Sequence, residues 1–173
     1  MSADTFLNFA YGSNMLSARL RAPERCPSAR ALGVARLPGY ELRWHKKSRD
    51  GSGKCDIVSS DRAGASVFGA LFEIACSEKT ALDRAEGLGA GYDETQVQVV
   101  FGDDHLTVNA YVATTTNPKL RPYTWYRAFV VAGAKEHGLP ADYIARLEAA
   151  PADPDPDQKR HDKNTALIGE MRV

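Results

Sequence analysis

Hydrophobic and polar positions change rhythm several times along this chain, and each change marks an element. Residues 5–11, TFLNFAY, form an aromatic-rich apolar run that predicts a buried strand. It stops at Gly12-Ser13-Asn14. Met15, Leu16 and Leu20 then recur at helical spacing, with Arg19 and Arg21 placed outward and Ser13 or Asn14 available as an N-cap. Pro23 and Pro27 end that short helix. Residues 32–47 read as a long bent strand, interrupted at Pro38-Gly39 by a bulge or by a turn between two strands. SRDGSGK, at 48–54, has loop composition.

CDIVSS and SVFGALFEI predict two more strands around the turn DRAGA, and Gly69 in the second suggests close approach by a neighbour. Ser77 caps a predicted helix running to about Glu86, with Gly87 near its end. DETQVQVVFG and LTVNAYVATT alternate at period two, so GDDH between them reads as a hairpin turn. Two helices follow, over roughly 123–137 and 141–149, stopped by Gly138 and Pro151. PADPDPDQKRHDKN is too rich in proline and charge for a core element. It reads as an extended surface segment leading to TALIGEMRV, so 151–173 is an extended C-terminal segment of a single domain spanning 1–173. There is no regular βαβ alternation. The order predicts an α+β fold whose sheet is mainly antiparallel, mixed and barrel-like, with helices packed on it.

Composition narrows the function. At 173 residues the chain suits one domain with a proper core. Lys plus Arg and Asp plus Glu are equal at 22 each, so no basic excess points to nucleic acid. Basic residues between Arg36 and Arg49 interleave with Tyr40 and Trp44, which reads as a solvated sheet face. No apolar run approaches the ~20 residues of a membrane span, and no signal peptide is visible, so the expected location is cytoplasmic. The three cysteines, Cys26, Cys55 and Cys76, make no C-x-x-C and suit reduced thiols. The four histidines are too scattered to suggest a metal site, and no cofactor is expected.

Two stretches carry candidate chemistry. At Tyr11-Gly12-Ser13-Asn14, backbone N–H groups at a strand end and helix start would suit a carboxylate or a developing oxyanion; a plain strand-to-helix turn is the other reading. A serine nucleophile at Ser13 lacks both a G-x-S-x-G elbow and a histidine nearby in sequence. In ALDRAEGLGAGY, Leu82, Ala85 and Leu88 make an apolar stripe with Glu86 at its edge. A carboxyl in such surroundings has a raised pKa, which Asp83 would reinforce, and so can exchange protons near neutral pH; a solvated charge is the alternative. GLGAGY lacks the strand and helix a dinucleotide loop needs. In the helix from 126, small residues at 132–134 permit close packing, while Tyr126 and Lys135 have the reach for a site.

Taken together, FAYGSNM after the first strand, LDRAEG followed by AGY, and AGAKEHGLPADYIARLEA resemble the γ-glutamylcyclotransferase family, in order and in spacing, from about Thr5 to Pro151. The resemblance implies that family's fold and reaction: the α-amine of a γ-glutamyl amide attacks its own γ-carbonyl, giving 5-oxoproline and a free amine. It implies Glu86 as general acid/base. It places Tyr11, Gly12, Ser13, Asn14 and Met15 around the γ-glutamyl group, with Tyr92 and Tyr126 as pocket tyrosines. The implied partner is a small γ-glutamyl substrate, with neither nucleic acid nor membrane, and a homodimer stays open. A non-catalytic module binding a small carboxylate and an amidase using water are the alternatives. The tail at 151–163 does not map onto family function, and the Gly/Ser-rich loop at 48–54 falls where family loops vary; both are placed to rim the pocket and alter the amine accepted.

Overall fold

A computed structural model describes residues 4–169. Five strands close into a barrel in the order β1 (Thr5–Ala10), β5 (Ser66–Ala75), β2 (Arg30–Pro38), β6 (Tyr92–Phe101) and β7 (Asp104–Ala113). Neighbours are antiparallel except at the seam, where β1 and β7 run parallel and meet at Asn8 and Asn109. The buried side chains of those two residues hydrogen-bond to each other there, 3.4 Å apart. Closure leaves the barrel without free sheet edges, and alternating strands such as β6 turn one face inward. The mixed, barrel-like α+β expectation therefore holds.

Two strands stand outside the barrel. Of the two readings of Pro38-Gly39 the turn between two strands holds: Gly39, with φ +78°, turns the chain out of β2 into β3 (Tyr40–Lys47), which pairs with β4 (Gly53–Ser59) as a separate two-stranded sheet. The loop expected at 48–54 is shorter, because Gly53 and Lys54 already belong to β4. Gly69 is a point of close approach. A Cβ there would lie 2.4 Å from the Ala10 carbonyl oxygen and 2.7 Å from the Phe9 ring, so β1 crosses β5 where only glycine fits.

The helices are α1 (Ser17–Leu20), α2 (Lys79–Glu86), α3 (Thr124–His137), α4 (Ala141–Ala149) and α5 (Gln158–Gly169). A 3-10 turn, Ser13–Met15, precedes α1, and another, Cys76–Glu78, precedes α2. None of Ser13, Asn14 or Ser77 makes the expected side-chain cap. Gly87 and Gly138 do end α2 and α3 in the left-handed conformation.

The charged stretch after Pro151 corrects the reading of an extended segment, because residues 158–169 are helical. Its anchor is Asp155, which is buried and accepts hydrogen bonds from the indole Nε1 of Trp125 at 2.8 Å and from the Arg160 guanidinium at 2.6 Å. A charge-rich sequence thus packs by pairing its charges, and Leu167 and Ile168 of the helix lie against the core. Of TALIGEMRV, the last four residues lie outside the described part of the chain.

Candidate active site

The site forms where β1 ends. Tyr11 leaves the strand buried, and the chain tightens into the Ser13–Met15 turn. Gly12 has φ −113°, a value open to any residue, so conformational freedom is not why glycine stands there. Space is the reason: a Cβ would sit 3.0 Å from Cys55 Cβ and 3.3 Å from the Tyr126 hydroxyl. Helix α3, which also carries Tyr126, presses on the turn a second time. At Gly133 a Cβ would lie 2.6 Å from both Leu16 N and Met15 Cβ. The small residues of α3 therefore serve to seat this turn.

Glu86, at the end of α2, reaches the same place. Its carboxylate accepts a hydrogen bond from the Asn14 amide across 72 positions of sequence. The apolar stripe expected around it is only partly real. Leu82 is fully buried, but Ala85 is exposed and Leu88 is 46% exposed. The partly buried Glu86 owes its enclosure to the turn and to tyrosines from other elements. Burial raises its pKa above the usual carboxyl range, and it outweighs the opposing pull of Arg25, Arg19, Lys46 and the Asn14 hydrogen bond. Asp83 takes no part. It faces the other way, accepting from the Tyr111 hydroxyl at 2.6 Å and from Lys79.

Around Glu86 the cleft has two compartments. The inner one is walled by Tyr11, Gly12, Ser13, Asn14, Tyr92 and Tyr126, with Asn8, Cys55 and Tyr111 behind them. The outer one shares Ser13, Asn14, Glu86, Tyr92 and Tyr126 and adds Arg19, Arg25, Lys46 and Lys54. Hydroxyls hold the inner wall rigid. Tyr92 donates to the Cys55 carbonyl at 2.7 Å, and the Cys55 N–H donates to the Tyr126 hydroxyl at 3.1 Å. Tyr11 donates to the Tyr111 carbonyl. Burial raises all three tyrosine pKa values well above normal, so these hydroxyls stay protonated. It also pushes the Cys55 thiol up to about 12, which removes it as a nucleophile near neutral pH. Ser13 Oγ accepts from Arg19 Nε at 3.1 Å, and no histidine lines the cleft among the described residues.

Of the residues singled out in the sequence, Tyr11, Gly12, Ser13, Asn14, Glu86, Tyr92 and Tyr126 meet in one cleft. Met15 does not. It is fully buried beneath the turn, touching α3, and its carbonyl accepts from His137 Nε2 at 2.7 Å. Lys135 pairs on the surface with Glu148 at 2.6 Å. The cations were missed. Arg19 turns inward over the Phe129 ring at 5.2 Å; Lys46 comes from the stretch read as a solvated face, and Lys54 from the segment read as a loop. The alternation of Tyr40, Leu42 and Trp44 hinted that one face of β3 is covered, but not by what. Among the described residues, no group of His, Cys, Asp or Glu is arranged to hold a metal ion.

The fold and the site together are those of a small α+β barrel in which a carboxyl with a raised pKa lies in a tyrosine-walled cleft beside a strand-end turn. A family model described as AIG2-like matches residues 66–147. The γ-glutamylcyclotransferases of Mus musculus and Homo sapiens are each 33% identical to the chain, over 84% of it and 79% of their own length. A solved γ-glutamyl cyclotransferase superposes with a TM-score of 0.83 at 28% identity, covering 94% of this chain and 99% of that one. The chain belongs to the γ-glutamylcyclotransferase family.

Proposed function

We propose that the protein cleaves γ-glutamyl amides by internal cyclisation, releasing 5-oxoproline and the amine. The relatives' names support the activity, and one observation carries the mechanism: the raised-pKa carboxyl of Glu86 lies against Asn14 in the cleft. Ionised Glu86 takes a proton from the substrate's α-ammonium. The freed amine attacks the γ-carbonyl carbon, and the carbonyl oxygen gathers negative charge. Ser13 and Asn14 open a 3-10 turn, and their N–H groups have no acceptor among the described residues, so they suit that oxygen. As the amide C–N bond breaks, Glu86 returns the proton to the departing nitrogen. The ring nitrogen loses its extra proton by the same route, so no water is consumed. The rigid tyrosine wall favours a folded-back substrate, and holding amine and carbonyl together is a large part of the rate gain.

Incubation with γ-glutamyl-alanine, followed by mass spectrometry, should yield 5-oxoproline and alanine. Glu86→Gln should lower kcat by about 10²- to 10⁴-fold, the usual worth of a general acid/base, while the fold stays intact. Free glutamate as the product would show water as the attacking group and overturn the proposal. Tight binding without turnover would leave only a carboxylate-binding module.

Cytoplasmic residence is part of the same reading; it fits reduced cysteines and a small-molecule substrate. Among the described residues, no helix is long and apolar enough to cross a membrane.

A further inference from the structure

We propose that a second cavity, between β3 and α4, is a binding site for a small phosphate monoester with a flat apolar body. Its lining shares no residue with either compartment of the catalytic cleft, so the inference stands apart from the cyclotransferase reading.

Arg43 and Trp44, from the basic and aromatic stretch that reads in sequence as a solvated face, both line this cavity. Three elements bring their arginines to it: Arg43 from β3, Arg62 from the turn between β4 and β5, and Arg146 from α4. Glu41 is the one acidic group in the lining. Its carboxylate accepts from Arg62 Nε at 2.6 Å and from Arg43 Nη2 at 2.7 Å, and these two bonds hold its pKa down to about 2. Glu41 is therefore charged at neutral pH, and three positive charges face one negative. A phosphate monoester, at about −1.5 to −2, neutralises that excess of two, whereas a single carboxylate leaves half of it unmatched.

Donors agree with charge. Arg62 spends only Nε on Glu41, so its two terminal nitrogens keep their N–H groups free among the described residues. The Arg146 guanidinium lies 5.2 Å from the centre of the Tyr143 ring and has no hydrogen-bond or ion-pair partner among the described residues. A guanidinium is a planar fork that meets phosphate oxygens two at a time, so two such groups with unspent donors suit a phosphate. The rest of the lining calls for more than a bare ion. Leu42 and Trp44 from β3, with Tyr143 and Leu147 from α4, give it an apolar wall that an organic body would cover. The volume, about 240 Å³, limits that body to roughly one ring, since drug-sized ligands occupy about 300–1,000 Å³.

Isothermal titration calorimetry on the full chain, at low ionic strength, tests this with phenyl phosphate as the probe. Inorganic phosphate and phenol, the two halves of that probe, are titrated beside it. Phenyl phosphate should bind about tenfold or more tightly than either half, because only it meets the arginines and the apolar wall together. Arg62→Gln and Arg146→Gln should each weaken it about tenfold, as expected for a lost charge-assisted contact. Both side chains are exposed, so the variants should fold, and both should keep the wild-type rate on γ-glutamyl-alanine. Lys54→Met, in the catalytic cleft, should leave phenyl phosphate binding unchanged. No saturable binding at millimolar concentrations, an affinity no tighter than that of inorganic phosphate, or a loss in Lys54→Met without one in Arg62→Gln and Arg146→Gln would each overturn the assignment.

Discussion

Glu86 shows how one residue carries opposed demands. A buried carboxyl with a raised pKa is suited to proton exchange, but it costs stability once ionised. In the unfolded chain it titrates near the ordinary value of about 4.3; in the folded protein it titrates higher. Between those values the folded state holds the extra proton, so stability falls as pH rises through the window. Glu86→Gln should therefore be more stable than wild type at pH 7, and the difference should vanish at pH values below about 4. Urea denaturation at both pH values measures this, and an equal difference at both would count against it. For the same reason kcat/KM should rise with pH through an apparent pKa above the normal glutamate range. The candidate acid was legible from LDRAEG. Its environment was not, because Arg19, Arg25 and Lys46 reach it from other elements.

At the scale of elements, α3 and the Ser13–Met15 turn form one unit. Helix propensity alone makes Gly133→Ala a gain of about 1 kcal/mol. Packing says otherwise. The new methyl would meet the Leu16 backbone nitrogen and Met15 Cβ at 2.6 Å, and overpacking of this kind costs about 1–3 kcal/mol. The clash should win, because two of the atoms it strikes, Leu16 N and Met15 C, are backbone and cannot swing aside as the end of a side chain can. Gly133→Ala should lower stability by about 1 kcal/mol or more in equilibrium denaturation and reduce turnover by shifting Ser13 and Asn14. An unchanged or raised stability would show that the turn can yield. Helices α3 and α4 were readable to within a residue, since apolar periodicity and the stops at Gly138 and Pro151 are local signals. The caps assigned to Ser13, Asn14 and Ser77 failed, because the 3-10 turns that occupy those positions bond backbone to backbone.

Across the whole molecule, the tail is wired to the cleft. Asp155 fixes the Trp125 indole, and Trp125 in turn flanks Lys54 and packs edge-on against Tyr126 at 6.0 Å. Asp155→Ala leaves that buried N–H without its acceptor, a loss of about 1–3 kcal/mol, and it should also raise KM for γ-glutamyl-alanine by loosening the aromatic box. Thermal melts and steady-state kinetics would measure both; a stability loss with unchanged KM would make the tail purely structural. The sequence by itself determined nearly every strand and helix, the α+β class and the two stretches that bear the chemistry, because hydrophobic period, glycine and proline act on near neighbours. Only the tertiary structure decided that β3 leaves the barrel, that the charged tail becomes a helix and that Arg19, Arg25 and Lys46 gather at Glu86. Those outcomes depend on contacts between residues tens of positions apart, where burial and charge are properties of what surrounds a side chain and leave no periodic trace in the chain.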